Sequence, residues 1–578
     1  MYKNRINIKF RKKIILLVYF SLIFLISLRY FYLQLIKYEK FSSEGESNSL
    51  RQFILTAPRG LIFDRNEEFL VDNQLIYDIN IIPKDFDSST FNYDIVYKEL
   101  GLNKETLDSI VMPRKKNRVK QFLPVLIKRH VDFDVKAILE ENKLSLKGIH
   151  FSTFPARKYS SNANLTHVLG HLREQDREIV GSSGLEKFYE KKLKGANGVE
   201  YYYVDSYGIN QGKFSTGKII DKNYNPIHGD SLILTIYKKL QSYCEKISND
   251  YKGSIIVMNP ENGEIYAMNS FPDYSLDSFV GPITKQEWNS LKNSQDNVFY
   301  NRSIQNTYPP GSIFKLLLGL IALENNTINM DWTVDCNGVY QFYDTKFHCW
   351  KEDGHGKVNL NSAIKQSCNV YFYNLMQKID FDFWHKEVLK FGFNKPTFVD
   401  LPTEKKGLIP NRKYMTDTYK DKGGWSTGHL LNLSIGQGEM LVTPIQIMNL
   451  INAISNEGFY FTPHLNIDKD KVKKNIPYDK SVYKAIKNSM FDAVNKNNGT
   501  AYNAKSNYDF VKTYGKTGTV QLCSNCEIEP HGWFAGFIDI GNGKKFSVCI
   551  LIENGGKGSN IPSIMARNIF NFIIGNDV

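Results

Sequence analysis

A basic N-terminal tail followed by a long apolar run constrains this chain more than any other feature. Six Lys and Arg residues and no acidic residue lie among the first thirteen, and Ile14–Ile36 then carries one charge, at Arg29. A helix of about 20 residues spans the apolar core of a bilayer, and a terminal arginine can reach the interface. No small-residue cleavage site follows, which favours a retained anchor over a signal peptide. We expect residues 1–13 in the cytoplasm, a transmembrane helix over 14–36 and the rest of the chain outside.

The remaining composition excludes several classes of protein. The chain has 578 residues, a net charge of +13, 42% hydrophobic residues and seven cysteines. This hydrophobic content excludes a disordered chain, and the cysteines are too few for a disulfide scaffold. Because six of the positive charges orient the anchor, the basic excess does not indicate a nucleic-acid partner.

Beyond the anchor the sequence divides into two regions. Residues 37–228 mix strand-like runs such as Leu70–Ile82 with helical ones such as Ser183–Leu193, and they contain no catalytic cluster. Residues 229–578 place strand-like runs at both ends of a second domain, with helical segments between them. These runs are Gly253–Met258, Ile265–Asn269, Tyr514–Gln521, Gly532–Ile540 and Lys545–Glu553, and a helix is predicted over Pro562–Ile574. We therefore expect an α/β (α+β) fold whose sheet combines the two ends of this domain.

The first chemical motif is the segment Tyr308–Lys315. An apolar helix is predicted over Ile313–Leu323, so Ser312 is expected in its first turn, where free backbone N–H groups favour a developing anion. Lys315 follows three residues later on the same helical face. A buried lysine has a lowered pKa and can act as the base for a neighbouring hydroxyl. The S-x-x-K pattern alone is weak evidence, since it also occurs at Ser215, Ser362 and Ser481.

Two further motifs strengthen this assignment. Ser367-Cys368-Asn369 follows Ser312 along the chain, and Lys516-Thr517-Gly518-Thr519 follows later in a predicted strand. Glycine in a strand allows a ligand backbone to approach closely. The ordered set S-x-x-K, S-x-N and K-T-G is the signature of the serine enzymes that react with penicillin.

With these motifs the chain resembles the class B penicillin-binding proteins, and specifically the penicillin-binding protein 2 type of the rod-elongation machinery. The resemblance extends over nearly the whole chain, and several further segments carry it: Arg59–Arg65, Gly184–Lys187, Gly354–Gly356, Ile435–Gly438, His531–Phe534 and Glu553–Gly556. It implies an elongated pedestal (dimerisation) domain over 37–228. It also implies a transpeptidase domain over 229–578 that is similar to the serine β-lactamases, with an antiparallel sheet flanked by helices.

The resemblance also implies roles for the motif residues. Ser312 is the expected nucleophile and Lys315 its proton acceptor, and the backbone N–H groups of Ser312 and Thr519 are expected to form an oxyanion hole. Ser367 would pass a proton to the leaving group. Asn369, where many members of this subgroup have Asp, would bind the substrate backbone. Lys516 is expected to place positive charge near the terminal carboxylate of the substrate, which the hydroxyls of Thr517 and Thr519 would hydrogen-bond. Gly518 would let the substrate backbone approach closely.

The expected activity is that of a serine-type D-Ala-D-Ala transpeptidase or carboxypeptidase that cross-links peptidoglycan stem pentapeptides during elongation and is acylated by β-lactams. A septal transpeptidase of the same class, a membrane-anchored β-lactam hydrolase or sensor, and a non-catalytic scaffold are the alternatives. The resemblance implies a SEDS-family glycosyltransferase and a rod-complex scaffold as partners. The expected location is the bacterial inner membrane, with a single span and the catalytic domain in the periplasm.

The cysteines predict a metal site. Cys336, Cys349, His355 and Cys368 lie between the S-x-x-K and S-x-N motifs, and three thiolates with an imidazole suit tetrahedral zinc. Some members of the resembled subgroup carry zinc in this region, with Asp where Cys336 and Cys349 stand here. Such a zinc ion would be structural and would support the active-site loop from Cys368. Buried apolar cysteines, or one disulfide with a free thiol, are the alternatives.

The other cysteines are expected to have different roles. Cys523 and Cys526 follow the K-T-G strand, where a local disulfide is the expected arrangement outside the cytoplasm and a second zinc site with His531 is the alternative. Cys244 lies in a helical pattern and Cys549 in an apolar strand, so both are expected in the core.

Overall fold

The computed structural model describes residues 2–38, 50–117, 120–175, 178–204, 210–213, 224–281, 283–521, 528–576 and 578. The predicted disulfide between Cys523 and Cys526 lies outside the described residues.

The described strands are β1 (Leu50–Leu55), β2 (Ile62–Phe63), β3 (Phe69–Ile81), β4 (Val125–Val131), β5 (Ile149–Tyr159), β6 (Leu172–Gln175), β7 (Glu178–Gly181), β8 (Gly198–Val204), β9 (Asn210–Lys213), β10 (Leu232–Ile233), β11 (Gly253–Met258), β12 (Ile265–Phe271), β13 (Thr333–Cys336), β14 (Val339–Phe342), β15 (Thr345–His348), β16 (Gly356–Asn359), β17 (Phe459–Phe461), β18 (Lys473–Asn475), β19 (Lys512–Val520), β20 (His531–Gly541) and β21 (Lys544–Ile552).

The described α-helices are α1 (Tyr2–Phe31), α2 (Tyr93–Leu100), α3 (Lys104–Lys115), α4 (Phe133–Glu141), α5 (Thr166–Leu169), α6 (Gly184–Phe188), α7 (Glu190–Leu193), α8 (Lys238–Ser248), α9 (Lys285–Lys292), α10 (Phe314–Glu324), α11 (Leu360–Lys365), α12 (Asn369–Met376), α13 (Phe381–Lys390), α14 (Arg412–Tyr419), α15 (Thr427–Ser434), α16 (Pro444–Ser455), α17 (Lys480–Asn495) and α18 (Ile561–Gly575).

The N-terminal helix has the length and composition of a membrane span. Lys9–Ile36 is the one stretch of the described residues that is long and apolar enough to cross a bilayer. The helix α1 begins at Tyr2, so the basic tail is helical and continuous with the apolar run, and a π-helical turn over Tyr32–Ile36 extends it. The apolar side chains of this run are exposed, which is the expected state of a helix whose solvent is lipid.

The structure divides into two compact units. One comprises residues 1–58, 75–156 and 195–229, and the other comprises 59–74, 157–194 and 230–578. The chain passes from one unit to the other within β3 and β5. The predicted ranges 37–228 and 229–578 stay a prediction, while the packing places residues 59–74 and 157–194 with the C-terminal residues.

The first unit contains two small antiparallel arrangements. Strand β8 pairs with β1 and β9, and β4 pairs with β3 from Tyr77 to Ile81. Its apolar core lies where β3 and β4 meet helices α2 to α4, and Ile79, Val96 and Leu107 are fully buried there. This unit is therefore a mixed α/β body, as predicted.

The second unit is built on a five-stranded antiparallel sheet in the order β12-β11-β21-β20-β19. The first two strands come from the start of the second sequence region and the last three from its end, which confirms the predicted sheet. Side chains alternate across a strand. In β11, Ile255 and Val257 accordingly join the apolar cluster that contains α8 and α18, whereas Ile256 and Met258 join the cluster that contains α10 and α16. Both faces of the sheet are therefore covered by helices.

The predicted helical run Ser183–Leu193 forms two short helices, α6 and α7, which are separated at Tyr189. After Gly229 the short strand β10 pairs in parallel with β2. Cys244 and Cys549 are fully buried in the apolar core, as expected.

Arg59, the first residue of the segment Arg59–Arg65, belongs to a buried ion network. Glu186 is fully buried and accepts hydrogen bonds from Nε of Arg59 at 3.0 Å and Nε of Arg157 at 2.8 Å. Arg59 also pairs with Glu190 at 2.6 Å. A carboxylate shared by two buried guanidinium groups is strongly held because either partner alone would leave a buried charge unpaired.

Candidate active site

Ser312 lies in a 3-10 turn, Gly311–Ile313, directly before α10. The sequence predicts a regular helix from Ile313, and the observed turn is tighter because Gly311 has φ of +56° and donates its N–H to the Gly436 carbonyl at 2.9 Å. Ser312 is half-buried, whereas its neighbours on both sides are buried. The turn therefore presents the Ser312 hydroxyl at the edge of the core, ahead of an apolar helix.

Gly436 belongs to the segment Ile435–Gly438 and supports this turn. Its φ is +73°, and a Cβ atom there would lie 2.2 Å from the Gly311 carbonyl oxygen. Only glycine permits this backbone contact, because any side chain would displace the turn that carries Ser312. The close packing of the nucleophile turn therefore explains why the segment Ile435–Gly438 has glycine at position 436.

Lys315 is the second residue of α10 and is completely buried. Its Nζ donates hydrogen bonds to the Ser367 carbonyl at 2.9 Å, to Ser367 Oγ at 3.3 Å and to Asn369 Oδ1 at 2.7 Å. Nζ also lies 5.5 Å from the centre of the Phe372 ring. Burial lowers the pKa of Lys315 to about 8, although the nearby thiols of Cys368 and Cys349 act in the opposite direction. A fraction of these side chains is thus neutral, and able to accept a proton, near neutral pH.

Ser367 and Asn369 reach Lys315 from the junction between α11 and α12. Ser367 has φ of +56°, a left-handed conformation that costs a serine free energy and turns the chain sharply before α12 begins at Asn369. The amide of Asn369 is engaged at both ends, because Oδ1 accepts from Lys315 while Nδ2 donates to the His348 carbonyl at 3.2 Å. An aspartate in this place would lack the donor.

The K-T-G strand β19 forms the second wall of the site. Gly518 lies against the nucleophile turn, since a Cβ atom there would lie 3.1 Å from the Pro310 carbonyl oxygen. Lys516 is fully buried, and its Nζ donates to the Thr517 carbonyl at 3.0 Å. Burial and the positive charge of Lys315 hold the pKa of Lys516 well below its usual range. The Thr519 hydroxyl accepts a hydrogen bond from the Gly558 N–H at 3.2 Å.

The three motifs thus meet at one place. Lys315, Ser367 and Asn369 are joined by hydrogen bonds, and the turn of Ser312 packs on Gly518 and the strand that carries Lys516. The catalytic and binding roles of these residues stay a prediction. His348 and Phe372, which contact Asn369 and Lys315, are not among the predicted site residues. No motif marks them, and only their place beside the S-x-N segment could have drawn attention to them.

The four predicted metal ligands also come together. The ligand atoms of Cys336, Cys349, His355 and Cys368 lie within 4.8 Å of one another, and the three thiols are buried. His355 Nδ1 lies 3.6 Å from the Cys336 sulfur and 3.4 Å from the Cys349 sulfur. Ligands of tetrahedral zinc, at ~2.3 Å for sulfur and ~2.05 Å for nitrogen, are separated by about 3.6 Å. The donor set and its spacing therefore fit a zinc ion.

The cluster is connected to the S-x-N segment. The backbone N–H of Asn369 points at the Cys349 sulfur, at 3.4 Å, and Cys368 precedes Asn369 in the chain. A hydrogen bond from Cys368 lowers the pKa of the Cys349 thiol and raises that of Cys368. The thiols of Cys349 and Cys368 thus act directly on each other's pKa.

Comparisons with known proteins agree with this site. The family model of the penicillin binding protein transpeptidase domain matches residues 253–574, and that of the penicillin-binding protein dimerisation domain matches residues 54–234. The peptidoglycan D,D-transpeptidase MrdA of Haemophilus influenzae is 25% identical, and the alignment covers 94% of this chain and 88% of that protein. The protein of the same name from Acinetobacter baumannii is 28% identical over 94% of this chain and 84% of its own.

Solved structures give the same result. The complex between penicillin-binding protein PBP2 and MreC from Helicobacter pylori matches with a TM-score of 0.78 and 28% identity, over 91% of this chain and 99% of that one. PBP2 of Pseudomonas aeruginosa, in complex with WCK 5153, matches with a TM-score of 0.64 and 25% identity, over 90% and 96%. The resemblance stated from the motifs is confirmed, and the chain belongs to the penicillin-binding proteins, of the penicillin-binding protein 2 type.

Proposed function

We propose that this protein is a peptidoglycan D,D-transpeptidase that cross-links stem peptides during cell elongation through an acyl-enzyme on Ser312. The observation that carries the proposal is the buried Lys315, which is bonded to Ser367 and Asn369 and lies three residues after a half-buried serine. The relatives named peptidoglycan D,D-transpeptidase MrdA support the same reaction.

In the first half-reaction Ser312 Oγ attacks the carbonyl carbon of the penultimate D-Ala of a stem pentapeptide. The hydroxyl proton passes to neutral Lys315, and a pKa of about 8 leaves this lysine neutral in roughly one chain in ten at pH 7. The tetrahedral oxyanion is held by the N–H groups of Ser312 and Thr519. The carbon–nitrogen bond then breaks, Ser367 delivers its proton to the departing nitrogen and takes the proton held by Lys315 in return, and D-Ala leaves.

Substrate binding involves the other wall of the site. Lys516 supplies positive charge near the terminal carboxylate, and the hydroxyls of Thr517 and Thr519 donate hydrogen bonds to it. Gly518 leaves room for the peptide backbone to lie along β19, and Asn369 contacts the substrate from the opposite side. The substrate carboxylate favours the charged form of Lys516, which offsets the effect of burial on its pKa.

In the second half-reaction an amine of a neighbouring stem peptide attacks the ester and forms the cross-link, with regeneration of the Ser312 hydroxyl. The same acyl-enzyme gives a carboxypeptidase when water is the acceptor. A β-lactam acylates Ser312 in the same way, but its leaving group stays attached.

Labelling of the full-length, detergent-solubilised chain with a fluorescent penicillin tests the nucleophile. Ser312→Ala is expected to abolish labelling. Ser481→Ala is the matched control, because Ser481 opens another S-x-x-K pattern and is exposed on α17. Labelling that survives Ser312→Ala would refute the assignment. The lifetime of the penicillin adduct distinguishes a transpeptidase from a β-lactam hydrolase. A long-lived adduct is expected for the transpeptidase, whereas rapid turnover of penicillin would favour the hydrolase.

We also propose a structural zinc ion held by Cys336, Cys349, His355 and Cys368. The ion would have a structural role and would hold three thiolates and one imidazole in a tetrahedral arrangement beside the S-x-N segment. The support is the spacing of the four donors and their burial. Elemental analysis of the purified chain is expected to give about one zinc per chain and much less for Cys336→Ser, with Cys244→Ser as the control. Metal-free wild-type protein would contradict the proposal.

The anchor and the partners complete the proposed function. The basic tail favours an N-terminus in the cytoplasm and a catalytic domain in the periplasm of a bacterial inner membrane. Protease applied from the periplasmic side is expected to digest the large domain and spare the tail. The Helicobacter relative was solved in complex with MreC, which supports a rod-complex scaffold as a partner. A SEDS-family glycosyltransferase is the proposed membrane partner.

A further inference from the structure

A buried ion pair lies outside the three motifs. Arg302 Nε donates to Glu553 Oε1 at 3.0 Å across 251 residues of sequence, and 3% of the arginine side chain and 17% of the glutamate are exposed. Glu553 follows the last residue of β21, and its backbone N–H is bonded to the Lys252 carbonyl at 2.7 Å. The glutamate is thus fixed at both its backbone and its side chain, at the end of a central strand.

The same carboxylate oxygen holds the segment that leads to the nucleophile. The Tyr308 hydroxyl donates to Glu553 Oε1 at 2.6 Å, and burial raises the pKa of Tyr308, so the hydroxyl keeps its proton. Tyr308 is also paired with Val442 through two backbone hydrogen bonds of 2.8 Å. Only Pro309, Pro310 and Gly311 separate it from Ser312. Because two prolines restrict this connection, the position of Tyr308 determines that of the nucleophile turn.

The chain after Glu553 leads to the other wall of the site. The Asn554 N–H donates to His531 Nδ1 at 3.1 Å, and burial lowers the pKa of His531, which keeps this nitrogen an acceptor. The Gly556 N–H bonds to the Pro530 carbonyl, and the Gly558 N–H bonds to the Thr519 hydroxyl. The loop Asn554–Gly558 therefore runs from Glu553 to the residue that is proposed to supply the second N–H of the oxyanion hole.

We propose that Glu553 is a positioning residue that sets the distance between the two oxyanion-hole N–H groups, acting on Ser312 through Tyr308 and on Thr519 through the loop Asn554–Gly558. This inference rests on the proposed function. Arg302 neutralises the carboxylate and fixes its orientation, so that one oxygen accepts from both the arginine and the tyrosine. Glu553 acts without contacting the substrate or the nucleophile. Its effect is on the stability of the transition state, in which the oxyanion forms.

Tyr308→Phe is the informative substitution. It removes the hydroxyl that bonds Glu553 and keeps the ring, which contacts His531 and Trp533 edge-on. Glu553→Gln keeps an acceptor for the tyrosine and removes the charge that faces Arg302. Tyr274→Phe is the matched control, because Tyr274 is a similarly buried tyrosine whose hydroxyl bonds His171 Nδ1 at 2.9 Å and whose contacts do not involve the three motifs.

The assay follows acylation of the full-length chain by a fluorescent penicillin in stopped flow, which separates the noncovalent Kd from the acylation rate constant k2. Thermal unfolding of each variant is measured in parallel. We expect k2 to fall about tenfold in Tyr308→Phe, equivalent to about 1.4 kcal/mol, with Kd within about twofold of wild type. Glu553→Gln is expected to lower k2 as well. The k2 of the double variant is expected to be only slightly below that of the slower single variant, because both substitutions act on the same Tyr308–Glu553 contact.

The outcomes separate the possible roles. A lower unfolding temperature with unchanged k2 in folded Tyr308→Phe would mean that the network only stabilises the fold, and would overturn the inference. A loss of k2 as large in Tyr274→Phe would also overturn it. If Glu553→Gln does not fold, the value of k2 in Tyr308→Phe decides whether the network positions the oxyanion hole or only stabilises the fold. Absence of acylation in the wild type would overturn the proposed function and this inference with it, whereas normal wild-type acylation with unchanged k2 in the variants overturns the inference alone.

Discussion

Replacement of Asn369 by aspartate places a negative charge beside the proposed general base without altering the size of the side chain. Asn369 Oδ1 lies 2.7 Å from Lys315 Nζ. We expect Asn369→Asp to raise the pKa of Lys315 from about 8, because a nearby carboxylate favours the protonated lysine. The proposed acylation needs neutral Lys315, so the rate is expected to rise with pH in both proteins, but at higher pH in the variant.

The size of this shift follows from the distance. Two unit charges 2.7 Å apart attract by ~1.5 kcal/mol at the dielectric constant of water and by about 6 kcal/mol at an effective value of 20. The smaller figure alone corresponds to about one pKa unit. The midpoint of the rising limb is therefore expected near pH 8 in the wild type and near pH 9 or above in Asn369→Asp. At pH 7 the variant is expected to be acylated about tenfold more slowly, with plateau rates within roughly threefold at high pH.

The assay is the second-order rate constant of penicillin acylation between pH 6 and pH 10. Wild type and variant are compared at equal metal content, because the thiols of Cys349 and Cys368 also act on Lys315. Asn374→Asp is the control, since Asn374 lies on the same helix and its amide bonds the Val370 carbonyl instead. A midpoint that is unmoved, or that moves to lower pH, would refute the role of Lys315 as the titrating base. The positive charge of Lys315 also lowers the pKa of Lys516, so the two lysines titrate as a pair, and the test is the shift of the midpoint between wild type and variant.

Three further predictions concern the frame of the site. Glu186→Gln leaves the buried guanidinium of Arg157 without its charged partner, and it is expected to lower the free energy of unfolding in urea by about 3 kcal/mol; a loss below about 1 kcal/mol would contradict this. Gly436→Ala would place a Cβ atom 2.2 Å from the Gly311 carbonyl oxygen, so we expect the rate of penicillin acylation to fall at least about tenfold. An unchanged acylation rate would show that the turn Gly311–Ile313 can adjust. Leu320→Ala on α10, which is fully buried, is expected to cost about 2–5 kcal/mol of stability by denaturant titration, while the folded fraction keeps its acylation rate.

The regular elements near the site follow closely from local patterns. The predicted strands Tyr514–Gln521, Gly532–Ile540 and Lys545–Glu553 correspond to β19, β20 and β21 within two residues at each end. Their apolar residues and flanking turns carry the information locally. The resemblance carried by the three ordered motifs likewise predicted that Lys315, Ser367 and Asn369 would lie together.

Contacts between distant segments could not be predicted in this way. The left-handed conformation of Ser367 depends on how α11 and α12 pack, and the tight turn at Ser312 depends on the approach of Gly436. The bond of Asn369 to the His348 carbonyl and that of Arg302 to Glu553 join segments without any shared periodicity. Such contacts arise from the folded packing, and a local pattern contains no signal for them.

The order of strands in the central sheet also has a consequence for how the protein is made. Strand β11 pairs with β21, and Ile256 faces Cys549 across nearly three hundred residues. In the proposed topology the residues after α1 are exported in chain order, so β11 and β12 arrive first and one edge of β11 stays unpaired until the last part of the polypeptide arrives. In the proposed topology Lys315 of α10, the proposed proton acceptor, is therefore exported long before the strand that carries Lys516. A product truncated before β21 leaves this edge of β11 unpaired, and an exposed apolar strand edge is prone to pair with other chains and aggregate.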